Sequence, residues 1–275
     1  MRSLHVAVAQ IHSQAGQVAT NLDRLRRQVA SAAAVGVQLT VFCESAIHAY
    51  DLTPATMALA EPADGPICQK LGQLARQYQM TIVAGFFERA PEGYYNSAAI
   101  AQPAGPLLVQ RKVLVGAKEK SVGLVAGTIP RHFFTVNGVR CGVLICADSA
   151  SREIKDEMVK GKVDLRCHPT AGGDLIEGIK IHAISEAELA TPQGRMVAEY
   201  YRKFVFKAET FMGGGDKQMA FASANALGHD GGSVTNLGHC MIVDRFGTVR
   251  AQIPGTIVKE HQQDQMVNQV LSWPD

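Results

Sequence analysis

Three side chains stand where chemistry could be done: Glu44, Lys112 and Cys146, in that order along the chain. A thiol attacks a carbonyl carbon once its proton is removed, and a carboxylate can take that proton. An ammonium can hold the negative charge that then develops on the carbonyl oxygen. Each of the three closes an apolar run: Glu44 follows Leu39–Cys43, Lys112 follows Leu107–Arg111, and Cys146 ends Val139–Cys146. Taken singly, each has a plainer reading: a solvated carboxylate, a surface lysine and a buried core thiol. Glu119 is flanked by Lys118 and Lys120, which suits a solvated charged loop. A thiol at a strand-to-helix turn would face the positive end of the helix dipole, which predicts a lowered pKa for Cys146.

These residues need elements to hold them. Leu4–Gln10 alternates and reads as a strand; Asn21 reads as a helix cap, followed by an apolar stripe of Leu22, Leu25, Val29 and Ala33 and a stop near Gly36. Pro66 opens a second helix with Ile67, Leu71, Leu74 and Tyr78 on one face, and Met80–Phe87 follows as a strand. Short strands fall at Ser97–Gln102 and Leu107–Arg111, joined by a turn at Pro103-Ala104-Gly105. Asn137-Gly138 between Phe133–Val136 and Val139–Cys146 is a two-residue hairpin signal. A helix over Ser151–Lys160 with Gly161 as its cap, a strand at Asp164–His168, a helix around Met196–Phe211 and a strand at Gln218–Ala224 come next. A last hairpin pairs His239–Asp244 with Val249–Ile253, and a tail begins at about residue 256. Gly213–Gly215 and Gly231-Gly232 read as mobile loops, and with no Pro/Gly/Ser linker the expectation is a single α/β domain over residues 1–275.

Composition narrows the function classes. The 275 residues carry 27 basic and 25 acidic side chains without a long block of either sign, which points away from nucleic acid and anionic membranes and toward a small-molecule substrate. No apolar stretch reaches the ~18 residues of a membrane span, and the N-terminus lacks the parts of a secretory signal, so a cytoplasmic location is expected. Six scattered cysteines without Cys-x₂-Cys spacing suit neither a disulfide scaffold nor a structural zinc. A doubly wound nucleotide-binding protein would need a Gly-x-Gly-x-x-Gly loop after the first strand, where Gln10-Ile11-His12-Ser13 stands instead.

Taken together, the order Glu, Lys, Cys at strand ends resembles the carbon–nitrogen hydrolase (nitrilase-like) superfamily. Val6–Gln10 (VAVAQ) is similar to the family's opening strand, and Asn21-Leu22 to its first helix start. Val41-Phe42-Cys43-Glu44 resembles Val-Phe-Pro-Glu, Arg111-Lys112 the lysine phrase, and Glu119 with Gly127 a second-glutamate phrase. Gly142-Val143-Leu144-Ile145-Cys146-Ala147-Asp148 resembles Gly-x-x-Ile-Cys-x-Asp; Ala224–Gly228 and Gly238–Gly247 resemble the two closing phrases. The resemblance covers about residues 4 to 255. It departs at Cys43, where Pro is usual, at Ala147, where an aromatic is common, at His239-Cys240, where a Ser is common, and over 195–216, where Lys207-Ala208-Glu209 only loosely echoes Arg-Ala-x-Glu.

The resemblance implies a four-layer α-β-β-α sandwich whose subunits pair into a homodimer or a higher homo-oligomer. It implies a hydrolase of small amides or carbamoyl compounds with Cys146 as nucleophile, Glu44 as base, Lys112 on the oxyanion and Glu119 positioning substrate or lysine. No metal or organic cofactor is required. Ala147, His168 and the Gly172-Gly173 loop are the candidates to line the substrate pocket. Nitrilases usually carry Trp-Glu after the cysteine, and Ala147-Asp148 here favours an amide over a nitrile. A nitrile-hydrolysing enzyme and a non-catalytic regulatory member of the same fold are the alternatives.

Overall fold

Along the first strand, β1 (Arg2–Gln10), successive side chains point to opposite faces. Leu4, Val6 and Val8 enter one core cluster, and Ala7 and Ala9 enter another. A strand buried on both faces reads as apolar throughout, and its small residues mark the face on which helices lie close. This strand therefore places the layers of the molecule. The computed structural model describes residues 1–129, 131–172, 175–176, 179–180, 183–204, 219–229 and 235–274.

From the first strand the chain runs through helix α1 (Val18–Ala34), β2 (Leu39–Phe42), helix α2 (Pro66–Tyr78), β3 (Thr81–Ala90), β4 (Gly93–Ala101), β5 (Leu108–Arg111) and the short helix α3 (Ala117–Ser121). The second half holds β6 (Phe133–Val136), β7 (Val139–Val143), helix α4 (Arg152–Lys160), β8 (Leu165–Thr170), helix α5 (Pro192–Phe204), β9 (Ala220–Asn225), β10 (Cys240–Val243), β11 (Val249–Ile253) and β12 (Gln265–Trp273).

Two six-stranded sheets result, with strand orders β12-β1-β2-β3-β4-β5 and β11-β10-β9-β8-β7-β6. In each, three neighbouring strands run parallel: β1, β2 and β3 in the first, β7, β8 and β9 in the second. The remaining pairings are antiparallel. The sheets face each other across Val6, Val41 and Val83 on one side and Val143, Cys167 and Ile242 on the other. Leu25 and Val29 of α1 and Ile67 and Leu71 of α2 cover the outer face of the first sheet. Ile154 and Met158 of α4 pack with Leu144, just past β7, and Val163, just before β8, beside the second sheet. The chain is an α-β-β-α sandwich, as expected. No helix among the described residues is long and apolar enough to cross a membrane.

Several local expectations need correction. Asn21 does not cap α1, which starts at Val18 after Gln17. It is buried inside the first turn, where its amide bonds Gln14 on both backbone atoms and donates to the Ile47 carbonyl (3.0 Å). The amide ties the helix to the preceding loop and to the Ile47 backbone instead of capping it. The chain after about 256 is not a tail, since β12 lies antiparallel on β1 over nine residues from Gln265 to Trp273. The helix expected over Met196–Phe211 begins earlier, at Pro192, and is described to Phe204. Residues 205–211, Lys207-Ala208-Glu209, Gly213–Gly215, Gln218, Gly231-Gly232 and Gly173 lie outside the described residues. The Asn137-Gly138 hairpin turn has both residues in the left-handed region, φ 48° and 77°, as a type I′ turn requires.

Candidate active site

Ligand sites in open parallel sheets gather at the carboxyl ends of the strands. Here those ends face each other from two sheets: β2 delivers Glu44, β5 delivers Lys112, and β7 delivers Cys146. At Gly85 of β3 an added Cβ would fall 2.7 Å from the Glu44 carbonyl carbon and 2.6 Å from the Cys43 oxygen. Only a glycine lets β3 approach the Glu44 turn this closely.

The Lys112 ammonium, 3% exposed, stands between two carboxylates, 2.8 Å from Oε1 of Glu44 and 2.8 Å from Oε1 of Glu119. Asn96 of β4 donates its amide to the same two oxygens, at 2.7 and 3.1 Å. The second oxygen of Glu44 accepts from the Ala171 N–H (2.8 Å), and that of Glu119 from the Gly116 N–H (2.8 Å) at the start of α3. Every carboxylate oxygen in this buried cluster is therefore bonded, as buried charge requires. Glu119 is buried, while Lys118 and Lys120 on either side are exposed, so the charged stretch is not a uniformly solvated loop.

Burial opposes the charge on Lys112, but the carboxylates of Glu44 and Glu119 outweigh it and hold the ammonium charged. Burial likewise opposes ionisation of Glu119, yet the Lys112 charge and the hydrogen bonds from Lys112, Gly116 and Asn96 hold its carboxyl below the usual range.

Cys146 begins a short 3₁₀ turn, Cys146–Ala150, with φ at 46°, a left-handed conformation that is strained for a residue with a Cβ and recurs at functional sites. Its thiol bonds Thr170 and the Ala171 N–H and feels the charges of Glu44 and Lys112. The sequence predicted a lowered pKa; the structure reverses it. Burial first, and the Glu44 charge second, push the thiol up to about 12, against the weaker pull of Lys112. One 3₁₀ turn offers no helix dipole to compensate. The thiol is neutral at rest.

His168 lies behind Cys146. Its Nε2 is 3.1 Å from the Cys146 carbonyl oxygen and its Nδ1 3.1 Å from the Ser223 hydroxyl. A carbonyl only accepts, so the proton sits on Nε2 and Ser223 donates to Nδ1. Burial lowers the His168 pKa to about 4, so the ring is neutral. Ala147 is exposed beside the thiol. Gly172 is held by Asn225, whose side-chain oxygen accepts from its N–H (2.9 Å) and thereby braces the Ala171 segment that touches both Glu44 and Cys146.

Several contributors escaped the sequence reading. Asn96 is a polar residue on the apolar stretch of β4, a signal that could have drawn notice. The Tyr50 ring lies 5.8 Å from the Lys112 ammonium; burial, then Glu44, push its hydroxyl pKa up. Asp148 and Arg131 form a buried ion pair. Nothing local marks Tyr50 or Arg131. A cavity of about 530 Å³ along β5, lined by Asp64, Glu88, Arg111 and His132, contains none of the clustered residues. A space of about 10 Å³ beside Glu44, Ser45, Tyr50 and Asn236 is nearer. Convergence of charge and thiol, not volume, marks the site.

The carbon–nitrogen hydrolase family model matches residues 5–257. An (R)-stereoselective amidase from a Pseudomonas species is 31% identical over 148 residues, covering 53% of this chain and 52% of that protein. A hydrolase encoded in the pqqF 5′ region of Pseudomonas protegens is 31% identical over 190 residues, 66% of each chain. The chain thus spans about half the length of the amidase. Among solved structures, a CN-hydrolase superfamily protein from Xanthomonas campestris with an arsenic adduct in its active site superposes with a TM-score of 0.74, at 19% identity over 99% of this chain and 91% of that one. The amidase of Nesterenkonia AN1, from the nitrilase superfamily, gives 0.70 at 19% identity over 97% of this chain and 90% of that one. The two-sheet sandwich and the family match over nearly its full length agree: this chain belongs to the carbon–nitrogen hydrolase family.

Proposed function

We propose that the protein hydrolyses the C–N bond of a small amide or carbamoyl compound through a thioester on Cys146. The observation that carries this reading is the Lys112 ammonium held 2.8 Å from both Glu44 and Glu119, beside a thiol that shares the Ala171 N–H with Glu44.

A thiol held neutral requires its proton to be removed as attack proceeds. Glu44 takes that proton while sulfur bonds the carbonyl carbon, and the oxygen becomes an oxyanion. Lys112 and the backbone N–H of Ala147 receive that charge; such donors contribute about 3–4 kcal/mol each in acyl transfer. The tetrahedral adduct collapses, the C–N bond breaks, and Glu44 returns the proton to the leaving nitrogen, which departs as ammonia. A water deprotonated by Glu44 then attacks the thioester, releasing the acid and restoring the thiol. Glu119 holds Lys112 in place, His168 holds the Cys146 backbone, and Ala147 and Tyr50 bound the substrate. Subunit pairing into a homodimer or larger assembly belongs to the same proposal, on the strength of the family resemblance.

The test is ammonia release from a panel of small carboxamides, carbamoyl compounds and nitriles, with intact-protein mass spectrometry alongside. Ammonia from amide members together with an acyl adduct on Cys146 is expected. Turnover of the nitriles alone would overturn the substrate class, and turnover without any adduct would overturn the thioester route.

A further inference from the structure

Asp148 sits two residues past Cys146, fully buried, and its carboxylate bonds two separate stretches of chain and, through one of them, reaches a third. Oδ1 accepts from the backbone N–H groups of Val113 (3.0 Å) and Leu114 (2.9 Å), the two residues that follow Lys112. Oδ2 pairs with Nη2 of Arg131, whose Nη1 donates to the carbonyl of Val143 (3.0 Å), the last residue of the strand that delivers the thiol. Both side chains of the pair are 0% exposed. Such a pair is a poor choice for stability alone, because desolvating two charges offsets most of their attraction and a well-packed apolar pair often does as well. Nε of Arg131 is buried without a partner, which adds to that cost. The arrangement makes more sense as geometry: one carboxylate fixes the segment carrying the ammonium against the turn carrying the thiol.

We propose that the Arg131–Asp148 pair is a positioning device, with Asp148 setting where Lys112 stands relative to Cys146 and Arg131 orienting Asp148. This rests on the reading above that lysine and thiol act together, but its test does not need the substrate. Because Ala147 lies between Cys146 and Asp148, the same carboxylate also sets the direction of the Ala147 N–H. Both donors to the oxyanion would then be placed by one buried group.

The readout is the rate of Cys146 alkylation by iodoacetamide as a function of pH. The other five cysteines are buried, and Cys146→Ala gives the background. Asp148→Asn keeps an oxygen that accepts from Val113 and Leu114 but removes the charge, whereas Asp148→Ala removes both. Both variants strip Arg131 of its counter-charge and should lower the melting temperature, Asp148→Ala further because it also leaves the Val113 and Leu114 N–H groups unpaired. Alkylation should separate them. Asp148→Asn keeps the acceptor but loses the pairing with Arg131 and should shift the profile only slightly, while Asp148→Ala, with Lys112 free to move away, should shift it to higher pH and slow the reaction at fixed pH roughly tenfold, the effect of losing a nearby opposite charge. Equal alkylation profiles in the two variants would overturn the proposal, whatever their stability. If Asp148→Ala does not fold, the double variant Arg131→Met/Asp148→Ala removes the stranded charge and should show the same slowed alkylation; a wild-type profile there would also overturn it. A missing ammonia signal with the alkylation shift intact would count against the amidase reading and not against the positioning role.

Discussion

The two sheets bring opposite physics to one spot. The first sheet contributes Glu44, Lys112 and, through β4, Asn96: charged or amide groups in which every carboxylate oxygen is bonded. The second contributes a thiol that is neutral at rest, on a strained backbone, with a neutral histidine behind it. Buried charge must be partnered from several directions, so the first side is fixed by electrostatics. A half-buried neutral thiol needs few partners, and the second side is fixed by backbone conformation and packing. The molecule therefore keeps its thiol on one side and its charge on the other, and in the proposed reaction a proton crosses between them.

Breaking each side should give different failures. Cys146→Ala removes the bond-forming atom and should abolish turnover while leaving the melting temperature unchanged, since the thiol supports little else. Glu44→Gln keeps shape and hydrogen-bonding reach but accepts no proton, so turnover should fall on the order of 10²–10⁴-fold. Its thioester should persist long enough to be seen by mass spectrometry with a slow substrate. A Glu44→Gln enzyme that hydrolyses its thioester at the wild-type rate would show that another group activates the water.

Lys112→Met should fail in both activity and stability. It leaves Glu44 and Glu119 buried around one Asn96 amide with no cation, and breaking a buried ion pair by removing one partner costs about 3–5 kcal/mol. One carboxyl of that pair should then take up a proton more readily than in the unfolded chain. The variant should therefore regain stability as pH falls toward the carboxylate range. Urea denaturation at several pH values checks this, and a variant as stable as wild type at neutral pH would return Lys112 to an incidental role.

The wild-type sides should also separate by pH. His168 titrates at about 4 when folded and near 6.5 when unfolded, so its contribution is full above 6.5 and is lost as pH falls toward 4. The shift amounts to about 3 kcal/mol at most. Glu119 is depressed below 4.5, so its contribution persists down to that value and is lost only below it. The thiol side should thus weaken first on acidification. Calorimetry of His168→Gln should show a smaller loss between neutral pH and 4. His12, His48 and His239 are shifted the same way, so the loss shrinks in the variant and does not vanish.

How much of this was legible in the sequence follows from the same division. Strands announce themselves as apolar runs, and Glu44, Lys112 and Cys146 follow three of them, of which only β2 is buried throughout. The hairpin at Asn137-Gly138 needs left-handed residues and says so in its residue types. Groups that work through distant partners leave no local trace. Asn21 looked like a cap because a cap and a long-range bond call for the same amide. Arg131 finds Asp148 across 17 residues, and Tyr50 meets Lys112 across 62. Asn96 differs, being an amide in an apolar strand beside no turn. The pKa of Cys146 was misjudged because one short motif suggested a helix dipole, while burial, which the sequence does not state, dominates.

The backbone of the charged side should matter as well. Gly85 lets β3 touch the Glu44 turn: its N–H donates to the Cys43 carbonyl (3.2 Å), and its carbonyl accepts from the Ile47 N–H (3.2 Å). In Gly85→Ala the new methyl would overlap the backbone of Cys43, Glu44 and Ser45, none of which is the flexible end of a side chain. The strand or the turn must move, which should cost about 1–3 kcal/mol of stability, as overpacking does. The same movement carries Glu44 away from Lys112 and Cys146, and a displacement near 1 Å at a reacting group can cost roughly 10²-fold in rate. Gly72 of α2 is the control, because a methyl there meets only the guanidinium end of Arg76 at 3.5 Å. Gly72→Ala should raise stability by about 0.5–1 kcal/mol, as helix propensity predicts, and leave turnover alone. Thermal melts and steady-state rates of the two variants decide the matter. Should Gly85→Ala turn over at the wild-type rate, contact with β3 is not what places Glu44, and the hydrogen bonds from Asn96, Lys112 and Ala171 suffice by themselves.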